Sequence, residues 1–175
     1  MIREILDAKD KRLRGKSKTV AVIDKKVQTL IKDLKDTLVV QNDPDGIGLA
    51  APQIGKNIMI FVMKPGKEIK TVINPEVVFI SKKKEQAQDD QKKNIMEGCL
   101  SLPHFYGNIK RSQKIKIKFL DEKGQAHIQT FNGLDAQIVQ HEIDHLNGRL
   151  FIDELIKQKK PLFEYKNGEW EEVEL

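Results

Sequence analysis

The sequence predicts an α+β fold in which antiparallel β-sheets pack around a C-terminal helix, with an N-terminal amphipathic helix ahead of them. Three observations predict it. Val27, Leu30, Ile31, Leu34 and Leu38 recur at helical spacing. Lys114-Ile115-Lys116-Ile117-Lys118-Phe119 alternates as a half-exposed strand does. Around His141-Glu142-Ile143-Asp144-His145, the residues Leu134, Ile138, Val139, Ile143 and Leu146 make a segment apolar on more than one side, the mark of a buried helix.

In chain order, Asp24 is placed to cap the first helix. Residues Asn57 to Met63 and Thr71 to Ile80 read as strands, the second interrupted at Asn74-Pro75. Ser81 to Asn94 is polar and rich in Lys, Gln and Asp, and is expected to be a mobile loop. Asp121-Glu122-Lys123-Gly124 is a turn that returns the chain as a hairpin strand from Gln125 to Phe131. The last helix is expected from about Leu134 to Asn147, with Gly148 as its stop. After Pro161 comes an acidic tail, 161–175, with Phe163, Tyr165 and Trp170 as anchors. No internal repeat is visible, and the 175 residues suit one domain, 1–175, with a substantial core.

Composition bounds the function. No apolar run is long enough to span a membrane. Met1 to Lys18 is charged throughout, unlike a signal peptide. A single cysteine excludes an intrachain disulfide framework and fits a reducing cytoplasm. The 31 basic and 26 acidic residues leave +5, spread rather than clustered apart from Lys82-Lys83-Lys84 and Lys92-Lys93. Neither DNA nor a membrane is expected as a partner. Mild basicity is compatible with transient work near ribosomal RNA, although a solvated surface also accounts for it.

The chemistry concentrates in three segments. His141 and His145, four residues apart, lie one above the other on a helix face, where one metal ion can take both imidazoles. Glu142 beside them can reach a water on that ion, the H-E-x-x-H arrangement of zinc hydrolases. Such a site needs a third protein ligand and an open position. Phe151 stands where a metzincin has its third histidine, so that pattern fails. Glu164 and Cys99 are the remaining choices, and a thiolate suits zinc or iron(II). Cys99 sits in Glu97-Gly98-Cys99-Leu100-Ser101-Leu102-Pro103, a stretch read as extended or turning. The third segment is Gly46-Ile47-Gly48-Leu49-Ala50-Ala51-Pro52-Gln53-Ile54-Gly55. It is a poor dinucleotide loop, because Ala51 replaces the third glycine, but its small residues let another backbone approach.

Together these segments resemble the peptide deformylase family, which carries G-x-G-x-A-A-x-Q, E-G-C-x-S and H-E-x-D-H in that order. Leu13-Arg14 and Ser17 resemble the family's early segment. The resemblance implies a hydrolase that removes the formyl group from the N-terminal formyl-methionine of new polypeptides and releases formate. It implies Cys99, His141 and His145 as metal ligands, Glu142 as the acid–base residue, and Gln53 with the Leu100 N–H as oxyanion donors. Gly48, within Gly46 to Leu49, lies beside the substrate backbone, and Ile47, Leu134 and Ile138 form the methionine pocket. Glu97 and Arg111 resemble a paired acid and base flanking the site; read without the family they are two surface charges. Asp144 either orients a ligand or faces solvent. Iron(II) is the favoured native ion, with Zn(II), Ni(II) or Co(II) as other occupants. The partners expected are N-formyl-methionyl nascent peptides, with transient ribosome association, for a cytoplasmic monomer. His104-Phe105-Tyr106-Gly107 departs from members that place an arginine there.

Two other readings compete. An endopeptidase using Glu164 as third ligand makes Cys99 dispensable for metal. A ribosome- or RNA-binding module with structural histidines binds no metal tightly, and its association weakens steeply with salt.

Overall fold

The computed structural model describes residues 1–42, 45–82 and 96–174. The first helix, α1 (Lys25–Val39), starts where Asp24 accepts a hydrogen bond from the Val27 N–H at 2.9 Å, which satisfies a donor that the helix start leaves open. Its buried face presents Ile31, Leu34 and Leu38.

That face covers one side of a five-stranded antiparallel sheet. The sheet contains β1 (Gly48–Ala50), β2 (Ile60–Met63), β3 (Lys70–Ile80), β6 (Lys114–Leu120) and β7 (Ala126–Asn132), in the order β1-β2-β3-β6-β7. In β2 all four residues are buried, because the strand is covered on both faces. Ile60 and Val62 point to α1, packing with Leu34, Leu49 and Ile73. Phe61 and Met63 point the other way, toward Ile138, Val139 and Leu146 of α2 (Gly133–Leu146). The period of two thus sends alternate side chains into two apolar layers.

Helix α2 is the predicted C-terminal helix, shifted by one residue at each end. Asn147 closes it, and Gly148 follows at φ +73°, a left-handed conformation in which a Cβ would also overlap the Arg14 carbonyl. The early segment is tied to this end, since the buried Ser17 donates its N–H to the Leu146 carbonyl at 2.9 Å.

A second antiparallel sheet has the order β4-β5-β8-β9: β4 (Glu97–Cys99), β5 (Leu102–Gly107), β8 (Leu162–Lys166) and β9 (Glu169–Val173). It packs on α3 (Phe151–Gln158) through a cluster that includes Cys99, Ile109, Phe151, Leu155 and Leu162.

Three sequence expectations are corrected. The strand over 71–80 is not broken at Asn74-Pro75: β3 runs through, with a register shift between Ile73 and Glu76 and Asn74 at φ +51°. The turned Asn74 side chain bonds both the N–H and the carbonyl of Val20, at 2.8 Å each. The segment read as an acidic tail is a β-hairpin that completes the second sheet. Helix α3 was not expected; its eight residues follow Gly148 too closely to show more than two turns of periodicity. The expected mobile loop falls, beyond Ser81 and Lys82, outside the described residues. Among the described residues no helix is long and apolar enough to cross a membrane.

Candidate metal centre and substrate cleft

The two sheets and α2 meet at Cys99, His141 and His145. Strand β4 ends at Cys99, and its pairing shifts there from Gly98–Tyr106 to Cys99–Leu102, so the thiol turns toward α2. One helical turn separates His141 from His145 on the facing side of α2. Their ligand atoms lie within 4.8 Å of one another: Cys99 Sγ is 3.3 Å from His145 Nε2, which is 3.1 Å from His141 Nε2. Tetrahedral coordination by one sulfur and two nitrogens places such atoms roughly 3.3–3.6 Å apart. All three residues are buried. Glu164 is not in this group. It lies on β8, paired with Phe105 and Glu171. Phe151, in the place of a metzincin histidine, begins α3 and sets its ring 6.4 Å from that of His141.

Behind His141 stands a buried ionic chain. His141 Nδ1 is 2.6 Å from Glu97 Oε1. Arg111 donates to both Glu97 oxygens, at 2.7 and 3.0 Å, and to Asp144 Oδ2 at 2.6 Å. Asp144 also pairs with Arg149 at 2.9 Å. Glu97 and Arg111 are therefore not surface charges, and Asp144 neither faces solvent nor touches a ligand: it holds the arginine that holds Glu97. Burial alone would push Glu97 up, but its bonds to His141 and Arg111 hold it well below the usual carboxylate range. A carboxylate on Nδ1 fixes the ring so that Nε2 points at the cluster.

Burial pushes His145 down, and a charged His141 pushes it further. Burial opposes a charge on His141 too, but the Cys99 sulfur and Glu97 outweigh it and draw its pKa up. Neither His145 Nδ1 nor Glu142 Oε2 has a hydrogen-bond partner among the described residues, although both atoms are buried. One thiol and two imidazoles converging in a buried pocket fit a divalent ion that displaces protons on binding.

Glu142, the residue after the first histidine, is buried and its pKa is pushed up to about 7, burial being the main cause. Its carboxylate packs over Gly48. A Cβ built at Gly48 would overlap Glu142 Oε1, lying 2.9 Å from its Cδ and 3.1 Å from Ile138 Cγ2. Gln53 is buried on the short turn Ala51–Ile54. Its Oε1 accepts from the Ala50 N–H at 2.9 Å, which turns Nε2 to Ser101 Oγ at 3.2 Å and Cys99 Sγ at 3.6 Å. An ordinary polar turn residue would not be held in this way.

A cavity of about 510 Å³ opens over the cluster, within the size range of small-ligand sites. Gly48, Gln53, Cys99, Leu100, His141 and Glu142 line it, together with the apolar Ile47, Leu134 and Ile138. Leu100 also packs its side chain on the α1 layer. Of the residues that the resemblance implies as metal ligands, acid–base residue, oxyanion donors or methionine pocket, all line this cavity except His145, which belongs to the ligand cluster, whereas Glu164 does not line it.

Residues 2–161 match the family model described as polypeptide deformylase. The chain belongs to the polypeptide deformylase family. Deformylation of nascent peptides is the activity of this family, and its members are metalloenzymes. The peptide deformylase of Pseudothermotoga lettingae is 42% identical over 153 residues, covering 87% of this chain and 82% of that protein. That of Pseudomonas aeruginosa is 41% identical over 162 residues, covering 91% and 90%. Among solved structures, a peptide deformylase from Legionella pneumophila superposes with a TM-score of 0.77 at 42% identity, over 89% of this chain and 86% of that one. One from Synechococcus elongatus, in complex with actinonin, has a TM-score of 0.76 at 34% identity, over 87% and 78%.

The deformylase likeness extends to the mixed helix and antiparallel-sheet architecture. The glutamate, arginine and aspartate behind His141 were the least visible part of the site in the sequence. Without the family resemblance, which pairs Glu97 with Arg111, their neighbours give no signal: Arg111 stands between Lys110 and Ser112.

Proposed function

We propose that residues 1–175 form one catalytic domain that hydrolyses the formyl group from N-formyl-methionyl peptides, with Cys99, His141 and His145 holding one divalent metal ion. The observation that carries this reading is the convergence of the three donor atoms within 4.8 Å beneath a cavity that Glu142 also lines. Iron(II) is the native ion in this reading, with zinc, nickel or cobalt able to take its place, as the thiol and imidazole donors suit all four.

When bound by Cys99, His141 and His145, a divalent ion would supply Lewis acidity and would lower the pKa of a water toward about 7. The residues do the rest. Glu142 takes the proton of the attacking water and later delivers one to the leaving amine, and its burial keeps it close to that exchange in basicity. The water oxygen joins the formyl carbon, the carbon–nitrogen bond breaks, and formate and a free N-terminal methionine result. Gln53 Nε2 and the Leu100 N–H serve as donors to the oxyanion, each typically worth ~2.7–4 kcal/mol. The substrate backbone pairs beside Gly48, where no side chain intervenes. Ile47, Leu134 and Ile138 take the methionine side chain. The enzyme works in the cytoplasm as a monomer and meets its substrates by transient ribosome association.

The test compares formate release from formyl-Met-Ala-Ser, formyl-Asp-Ala-Ser and acetyl-Met-Ala-Ser. Cleavage of the first far above the others is expected. Equal cleavage of all three, or scission of internal peptide bonds, replaces this reading with a general peptidase.

A further inference from the structure

The family match ends at residue 161, yet the hairpin that follows is built into the sheet that borders the cleft. Its register places particular side chains beside the cavity. Tyr106 of β5 pairs with Phe163 of β8, and Phe163 with Glu172 of β9. Directly paired residues point to the same face of an antiparallel sheet, as do residues two apart. Tyr165 and its partner Trp170 therefore share the face of Tyr106 and Glu172. Tyr106 lines the cavity, and its ring lies so close over Gly98 that a Cβ there would come within 2.7 Å. The Trp170 ring meets that of Tyr106 edge-on at 5.3 Å and lies 4.8 Å from that of Tyr165. Trp170 is 51% exposed and Tyr165 43%. An aromatic surface thus runs out of the cavity and shares its face with a carboxylate. Between residues 162 and 174 there are five glutamates and one lysine, on a chain whose net charge is +5.

We propose that this face is a continuation of the substrate cleft, in which Trp170 and Glu172 select peptides with a lysine or arginine a few residues downstream of the formyl-methionine. The proposal rests on the deformylase reading of the neighbouring site. Aromatic faces attract a cation through their quadrupole, and the carboxylate adds an ion pair. An acidic side chain at the same place meets repulsion, and an aliphatic one gains contact but no charge pairing. The surface also suits an extended peptide, because strand pairing beside Gly48 leaves the downstream residues to leave the cleft over neighbouring structure.

The experiment uses the full-length, metal-loaded enzyme and formyl-Met-Ala-Ser peptides carrying Lys, Arg, norleucine or Glu at the third, fourth or fifth position. At one of these positions kcat/KM should be about 3- to 10-fold higher for Lys or Arg than for Glu, with norleucine between. Added salt should shrink the ratio, Glu172→Gln should reduce it and Glu172→Lys should invert it. Trp170 is the only tryptophan, so its fluorescence reports binding without turnover. Met-Ala-Ser-Lys should perturb the emission at lower concentration than Met-Ala-Ser-Glu. Formate release with a ratio near one at every position, or norleucine equal to lysine, overturns the proposal. Should no peptide release formate, the deformylase reading fails instead, and the fluorescence titration alone decides whether this face binds basic peptides.

Discussion

The Glu142 carboxylate packs directly over the bare Cα of Gly48, with Ile138 closing the contact from the same helix. The bare glycine leaves room for the Glu142 carboxylate and, in the proposed reading, for the substrate strand as well. Gly48→Ala forces Glu142 to move, and Gly48→Val also fills the cleft. Alanine should lower kcat about 10–100-fold, since small misplacement of a reacting group has that scale, and valine should lower kcat/KM further. Metal content should stay at one ion per chain in both. Loss of metal in the alanine variant would show that Gly48 serves the cluster rather than Glu142.

Glu142→Gln should keep the metal and lower kcat by about 10²–10⁴-fold, because an amide cannot accept the proton. Near wild-type turnover with metal bound would remove Glu142 from the reaction.

The same variant tests burial of that carboxyl in the metal-free protein. Its pKa in the fold, about 7, lies above the ordinary 4.5. The folded protein therefore keeps a proton that the unfolded chain has released. The associated stability is fully present below pH 4.5 and lost as the pH rises to about 7, on the order of 3 kcal/mol. Glu142→Gln has no such proton to lose. Urea unfolding of the two metal-free proteins should show the variant gaining on wild type between pH 5 and pH 8, and parallel curves would contradict it.

In the proposed reading Glu97, bonded to His141 Nδ1, acts on the metal through that ring. Glu97→Gln keeps the shape but removes the charge that fixes the ring and balances Arg111, and should weaken metal affinity about 10–100-fold. Chelator competition measures it. Unchanged affinity would make the Glu97–Arg111–Asp144 chain purely structural.

If iron(II) is the resident ion, activity of the iron-loaded enzyme should decay in air as the metal or the Cys99 thiolate oxidises, while nickel-loaded enzyme persists. Iron-loaded enzyme stable through prolonged aeration would argue for another native metal.

Much of this was legible in the sequence because local rules and tertiary packing agree. Asp24 caps α1, the alternation of Lys114 to Phe119 is a strand, and His141 to His145 lies on a helix that buries nearly all its faces. What was hidden depends on long-range partners. Read without the family, Glu97 and Arg111 look like surface charges until the fold brings β4, the β5–β6 connection and Asp144 of α2 together. Gln53 looks like a turn residue until Cys99 and Ser101 stand opposite it. The hairpin of β8 and β9 looked like a tail because its exposed glutamates mask the single buried leucine, Leu162, that seats it. The side of the cleft that Trp170 extends could be read only from strand register.

The most direct test of the metal centre is a titration of metal-free protein with cobalt(II), following thiolate-to-metal charge-transfer absorption and formate release from formyl-Met-Ala-Ser in the same sample. Both should rise together and saturate at one ion per chain, and both should collapse in Cys99→Ser. Full formate release without the thiolate absorption, or its survival in Cys99→Ser, would contradict a catalytic metal held by Cys99, His141 and His145.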